Sequence, residues 1–176
     1  AVACTPADSP NRPSYLNNLG NGLSARYTRT GDPADLDAAI KAHQDTVARI
    51  SVDSPEQAIA LNNLGTGLRN RYDRTGDPAD LDAAIDVWQE AVTRTPSGSP
   101  NQAAILNNLG GGLRARYVRT GQPEDLDAAI AAHKDAVART ASASTDRARR
   151  LNNLGIVLSA SYARAGKLED LDAAIA

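Results

Sequence analysis

The chain has 176 residues, and its 19 basic and 21 acidic side chains give a formal charge of −2 with no run of either sign, which argues against a nucleic-acid or acidic-membrane surface. No apolar stretch reaches the roughly 18 residues that a membrane helix needs, so the chain reads as soluble and cytoplasmic with no membrane partner. Cys4 is the only cysteine, which excludes an intrachain disulfide and a multi-cysteine metal site, and the absence of Met even at position 1 reads as a piece of a longer protein.

The segment L-N-N-L-G begins at Leu16 and returns at Leu61, Leu106 and Leu151, each time 45 residues on. L-D-A-A-I follows it at Leu36, Leu81, Leu126 and Leu171. A period in this range predicts an all-α solenoid of antiparallel helix pairs. The expected layout is one helical-repeat domain: residues 1–8 as the tail of an earlier helix, repeats at 9–53, 54–98 and 99–143, and a truncated fourth at 144–176. The few large apolar side chains of one repeat cannot offset the entropy of ordering it, so each repeat should fold only against its neighbours.

In chain order, Ser9-Pro10, Ser54-Pro55 and Ser99-Pro100 are read as starts of the first helix of each repeat, with Gln57 and Gln102 completing a capping box. Leu16, Leu19, Leu23 and Tyr27 mark one face of that helix, and the same columns recur in every repeat. Gly20, Gly65, Gly110 and Gly155 cost helix stability, so their recurrence predicts a neighbour passing too close for a Cβ. The helix should stop at Gly31, Gly76, Gly121 and Gly166. Asp35, Asp80, Asp125 and Asp170 are the expected N-caps of the second helix, with Asp32 and Asp77 as rivals at a position where Gln122 and Lys167 depart. The second helix then carries Leu36, Ala39, Ile40, His43 and Val47 on one face, with Trp88 and His133 in the His43 column.

These columns resemble the tetratricopeptide repeat, whose first-helix pattern looks like Leu16, Leu19, Gly20 and Leu23 and whose second-helix pattern looks like Ala84, Trp88, Ala91 and Pro96. The repeat here exceeds the family's usual length of about 34 residues. The first helix should be about a turn longer and both loops extended. The long form is similar to arrays in large microbial signalling proteins, beside nucleotide-binding switch domains or caspase-like peptidase domains, and to the cargo-binding repeats of kinesin light chains. The resemblance implies a right-handed superhelix that binds a protein or peptide in its concave groove, with no catalysis and no cofactor of its own.

In that family the first helices line the groove, which places Asn17, Asn18, Asn62, Asn63, Asn107, Asn108, Asn152 and Asn153 as candidate peptide-binding residues. Each amide offers a donor and an acceptor, suited to the backbone of an extended peptide. The competing reading is that one asparagine of each pair bonds to a neighbouring helix and fixes repeat spacing. Arg69 and Arg114 are a candidate patch for a carboxylate or phosphate on the ligand. Arg29, Arg74, Arg119 and Arg164 are expected to make structural ion pairs with the aspartates that start the second helix. His43 and His133 read as packed core residues and not metal ligands, and G-x-G at Gly20, Gly65 and Gly110 lies inside a helix, where it is no nucleotide loop. Residues 1–5 and 168–176 supply complementary halves of a helix, with Leu171, Ala174 and Ile175 as an uncovered apolar stripe, so head-to-tail self-association is expected, and Cys4 is expected partly exposed.

Overall fold

Glycine and proline punctuate the chain. The computed structural model describes residue 6, residues 9–96 and residues 98–166, and among them it contains seven α-helices and no strand. The first helices of the repeats are α1 (Arg12–Thr30), α3 (Pro55–Thr75), α5 (Gln102–Thr120) and α7 (Asp146–Ala165). Each ends at a glycine, Gly31, Gly76, Gly121 or Gly166, with φ of 72°, 74°, 73° and 66°, a left-handed backbone that side chains resist. Its N–H donates to the carbonyl of Tyr27, Tyr72, Tyr117 or Tyr162 at 2.7 Å. Proline then opens the second helices, α2 (Pro33–Val47), α4 (Pro78–Arg94) and α6 (Pro123–Ala138), where its missing N–H costs nothing.

Several starts differ from expectation. Asp32 and Asp77 are the N-caps of α2 and α4, each accepting from the N–H two residues on at 3.0 Å, and Gln122 holds that position in α6 without a side-chain bond. Asp35, Asp80 and Asp125 lie inside the helices. Among the first helices only α3 starts at its serine. There the Ser54 hydroxyl donates to Glu56 and does not cap. In α1 and α5 the Ser-Pro-Asn segment makes a turn and the caps are Asn11 and Asn101. Gln57 and Gln102 are buried, and Gln102 accepts from Arg139 at 2.9 Å, so neither closes a capping box. The loop within a pair is two residues, as at 31–32 and 76–77, and only the connection between pairs, as at 48–54 and 139–145, is extended.

The displaced aspartates have a different task. Arg71 grips the carboxylate of Asp80 with Nε and Nη2 at 2.8 and 2.6 Å, and Arg116 grips Asp125 in the same fork at 2.9 and 2.7 Å. Arg26 and Asp35 repeat it in the first pair, and this contact holds the Asp35 carboxyl below its ordinary range. The partners of these aspartates are therefore Arg26, Arg71 and Arg116, not the Arg29 column. Arg29, Arg74, Arg119 and Arg164 sit in the last turn of the first helices, where a cation faces the carbonyl end, and Arg164 reaches Asp127 at 3.2 Å.

The helices of a pair run antiparallel: moving up α3 from Gly65 to Arg71, the partner on α4 moves back from Trp88 to Asp80. Leu36, Ala39, Ile40 and His43 of α2 are buried as expected, while Thr46 replaces Val47 at the buried edge and satisfies its hydroxyl on Ala42 O. The glycine column is where the pair closes. A Cβ on Gly20, Gly65 or Gly110 would lie 2.5, 2.6 or 2.8 Å from the nearest atom of His43, Trp88 or His133. The indole Nε1 also donates to Asn62 O at 3.3 Å, tying the ring to the helix it covers. Leu64 is buried where α2 lies against α3, whereas Leu19, with no earlier helix among the described residues, is 42% exposed.

The chain divides into two units, Ala1–Thr95, which holds α1 to α4, and Pro96–Ala176, which holds α5 to α7. Within the first, α2 packs on α3. Within the second, α6 packs on α7. The expected half-helices at 1–5 and 168–176, the Leu171 stripe, Asp170 and Cys4 lie outside the described residues.

Two predictions follow from the core. Replacing Gly65 with Ala favours the helix by about 1 kcal/mol but forces a methyl into the indole, an overpacking worth about 1–3 kcal/mol, so the variant should be less stable in urea melts. Gly22 has nothing within 4 Å of a Cβ, so Gly22→Ala should stabilise by up to about 1 kcal/mol.

Acid acts on the core through its histidines. Burial lowers the pKa of His43, and burial with the nearby Arg114 lowers that of His133 to about 4. The unfolded chain takes up these protons near pH 6.5 while the folded chain resists, so stability falls as pH drops from 6.5 toward 4 and is level in this respect above 6.5. For His133 the loss is on the order of 3 kcal/mol, and His133→Phe should cut the proton uptake on unfolding in that window by about one. Urea midpoints measured between pH 4 and 7.5 check it.

Candidate functional site

The doubled asparagines lie on the first helices, one turn away from the glycine that receives the ring. In the first unit Asn63 of α3 donates its amide to Asn17 Oδ1 at 3.1 Å and to Asn21 Oδ1 at 3.3 Å on α1. In the second, Asn153 of α7 donates to Asn107 Oδ1 of α5 at 3.0 Å. The second asparagine of one repeat thus pairs with the first of the repeat before it. An amide can fill either part, since it carries both a donor and an acceptor. Asn107 is buried, Asn17, Asn62, Asn63, Asn108 and Asn153 are half-buried, and Asn18 and Asn152 are exposed.

The amides of the first unit sit between two openings on the seam of α1 and α3. One, of about 220 Å³, is lined by Pro13, Asn17, Asn18, Ile50, Glu56 and Ile59 among others. Its floor is apolar, and Ile59 is 39% exposed on a helix face where a buried contact would be ordinary for its size. The other, of about 400 Å³, is shallow, bounded by Tyr27, Thr28, Asn70, Asp73 and Arg74. Asn17 and Asn18 both line the smaller of the two openings.

Arg69 and Arg114 fall in different units. Arg69 is tied to Asp73 at 2.8 Å and lies over the Tyr72 ring at 5.8 Å, so much of its charge is engaged on its own helix. Arg114 is exposed. The two histidines are packed against glycines with Nδ1 buried and unpartnered, and among the described residues no group of three His, Cys, Asp or Glu side chains is placed to hold a metal ion. No described helix is long and apolar enough to cross a membrane.

Asn21, in a first-helix column that reads Thr66, Gly111 and Ile156 in the other repeats, joins the amide contact. Two features were not picked out from sequence. Arg26, Arg71 and Arg116 stand nine residues before Asp35, Asp80 and Asp125 in three repeats, a recurrence visible in the letters. Ile50, Glu56 and Ile59 line the smaller pocket, and each departs from the residue its column holds in the third repeat.

No protein-family model matches the chain, and no curated protein sequence does. Solved structures do. The putative kinesin light chain of Podosopora anserina with nearly identical TPR-like repeats is similar at TM-score 0.66 and 15% identity, over 98% of this chain and 77% of that one. BtubC (BKLC) from P. vanneervenii is similar at TM-score 0.69 and 20% identity, over 99% of this chain and 65% of that one. The de novo designed helical repeat protein DHR64 follows at TM-score 0.54 and 15% identity, over 93% and 88%. At these identities the likeness is one of fold. This chain is an all-α helical-repeat protein with the TPR-like fold.

Proposed function

We propose that the chain is a protein-interaction scaffold, without catalysis of its own, that takes an extended peptide along the face made by its first helices. The repeats behind it are read as residues 9–53, 54–98, 99–143 and 144–176. The observation that carries this reading is the α1–α3 seam: a strip of asparagine amides with an opening at each end. An extended backbone presents alternating N–H and C=O groups that amides can meet, and its side chains can enter flanking pockets. Asn17, Asn18, Asn62 and Asn63 are the proposed contacts in the first unit, and Asn107, Asn108, Asn152 and Asn153 their counterparts in the second. Arg114 is the better placed of the two arginines for an anionic group, since Arg69 already holds Asp73.

A second reading has its own observation. The Asn63–Asn17 and Asn153–Asn107 bonds join successive repeats, which favours the amides as spacers in a structural array that associates end to end. The two readings separate on one variant. Thr66 is exposed on α3 beside the amide strip, and Thr66→Arg should leave stability within about 0.5 kcal/mol. If the face binds peptide, ligands selected from a peptide array by the parent chain lose at least about tenfold affinity for the variant, as a bulky cation blocks the strip. Unchanged affinity would place binding elsewhere.

A further inference from the structure

The pocket at the entry of the second repeat has a composition that the rest of the array lacks. Ile59 stands in a column otherwise held by Ser14, Ala104 and Arg149, and Ile50 in one held by Thr95 and Thr140. Those threonines fold inward, each hydroxyl donating to a carbonyl four residues back at 2.6 Å, whereas Ile50 lines the pocket. Pro13 extends the apolar surface. Two departures meeting at one opening, one of them leaving a large aliphatic side chain 39% exposed, are not needed by the helix pairs, which close without them elsewhere in the chain.

The charge at this opening is also singular. Glu56 is the one ionisable residue in the lining, and it makes no ion pair among the described residues. Its column holds Asn11, Asn101 and Asp146, and Asp146 is engaged by Arg149 and Arg150. The Ser54 hydroxyl and its own backbone N–H at the helix start hold the Glu56 carboxyl below its ordinary range, so it is ionised at neutral pH. One carboxylate oxygen carries the Ser54 bond, which leaves a single well-placed acceptor in place of a fork.

We infer that this pocket takes a lysine side chain of an extended peptide, its methylene stem against Ile50, Ile59 and Pro13 and its ammonium on Glu56 with the Asn17 amide beside it. The assignment rests on the peptide-scaffold reading and adds to it the identity of one anchoring side chain. Lysine fits on two counts. Its four-carbon stem buries on apolar surface while the charged end stays wet at the rim, and its compact ammonium needs one acceptor, where arginine would present a planar fork to an oxygen already in use. An acidic side chain would meet an unpaired carboxylate and be repelled.

The test uses the whole chain, labelled at isoleucine methyls, titrated with the capped peptides Gly-Ser-Ala-Xaa-Ala-Ser-Gly in which Xaa is lysine, arginine, norleucine or glutamate. The lysine peptide is expected to shift the Ile50 and Ile59 methyl signals and to bind at least about tenfold tighter than the norleucine and glutamate peptides. Glu56→Gln should stay folded, with a slightly lower melt because Ser54 and the helix start favour the charge, and should bring lysine down to the norleucine level. Norleucine binding as well as lysine, or an unchanged lysine preference in Glu56→Gln, would overturn the assignment. Peptides that bind along the α1–α3 seam without discriminating sink the lysine pocket alone. If none of the four perturbs that seam, the scaffold reading falls with it.

Discussion

A ring laid on a glycine sets the spacing of every helix pair that the structure describes. His43, Trp88 and His133 lie over Gly20, Gly65 and Gly110 so closely that no side chain fits between, and the two-residue turn and the arginine–aspartate fork hold the pair at its other end. The glycine gives up helix propensity to allow this approach. The approach in turn buries the Leu36, Leu81 and Leu126 columns completely, which is where the apolar contribution to stability lies. Histidine meets the steric requirement as well as tryptophan does, but it brings a titratable ring into a buried place, and that is why the fold is expected to lose stability in acid.

The same spacing shapes the outer face. With the second helix seated behind it, the first helix presents its asparagines away from the core, at a height where the amide of one repeat meets that of the next. A contact that fixes repeat spacing and a face that receives a peptide are not exclusive, because each amide has more bonding capacity than one neighbour uses. In the first unit a pocket flanks the strip on either side along the α1–α3 seam.

Much of this was legible in the letters because a repeat writes each structural requirement several times. The period, the helix ends at Gly31, Gly76 and Gly121, and the close approach at the Gly20 column all recur, and all are in the structure. What recurrence cannot do is choose between two residues that recur together. Asp32 and Asp35 were both plausible caps, and the choice turned on the two-residue loop, which leaves Asp32 extended at the helix start and turns Asp35 toward Arg26. The asparagine pairing likewise needed the distance between α1 and α3, which no column encodes. The smaller pocket was legible only as departures at Ile50, Glu56 and Ile59, residues that a search for recurring patterns passes over.

The central claim is that the glycine is required by the ring and by nothing else, and a double-mutant cycle between Gly65→Ala and Trp88→Ala measures that most directly. Stability to urea should fall for Gly65→Ala in the parent chain, while in the Trp88→Ala background the same change should be neutral or stabilising, giving a coupling of at least about 1 kcal/mol. An equal penalty in both backgrounds would contradict the account, since the cost of a methyl at Gly65 would then come from something other than the indole above it.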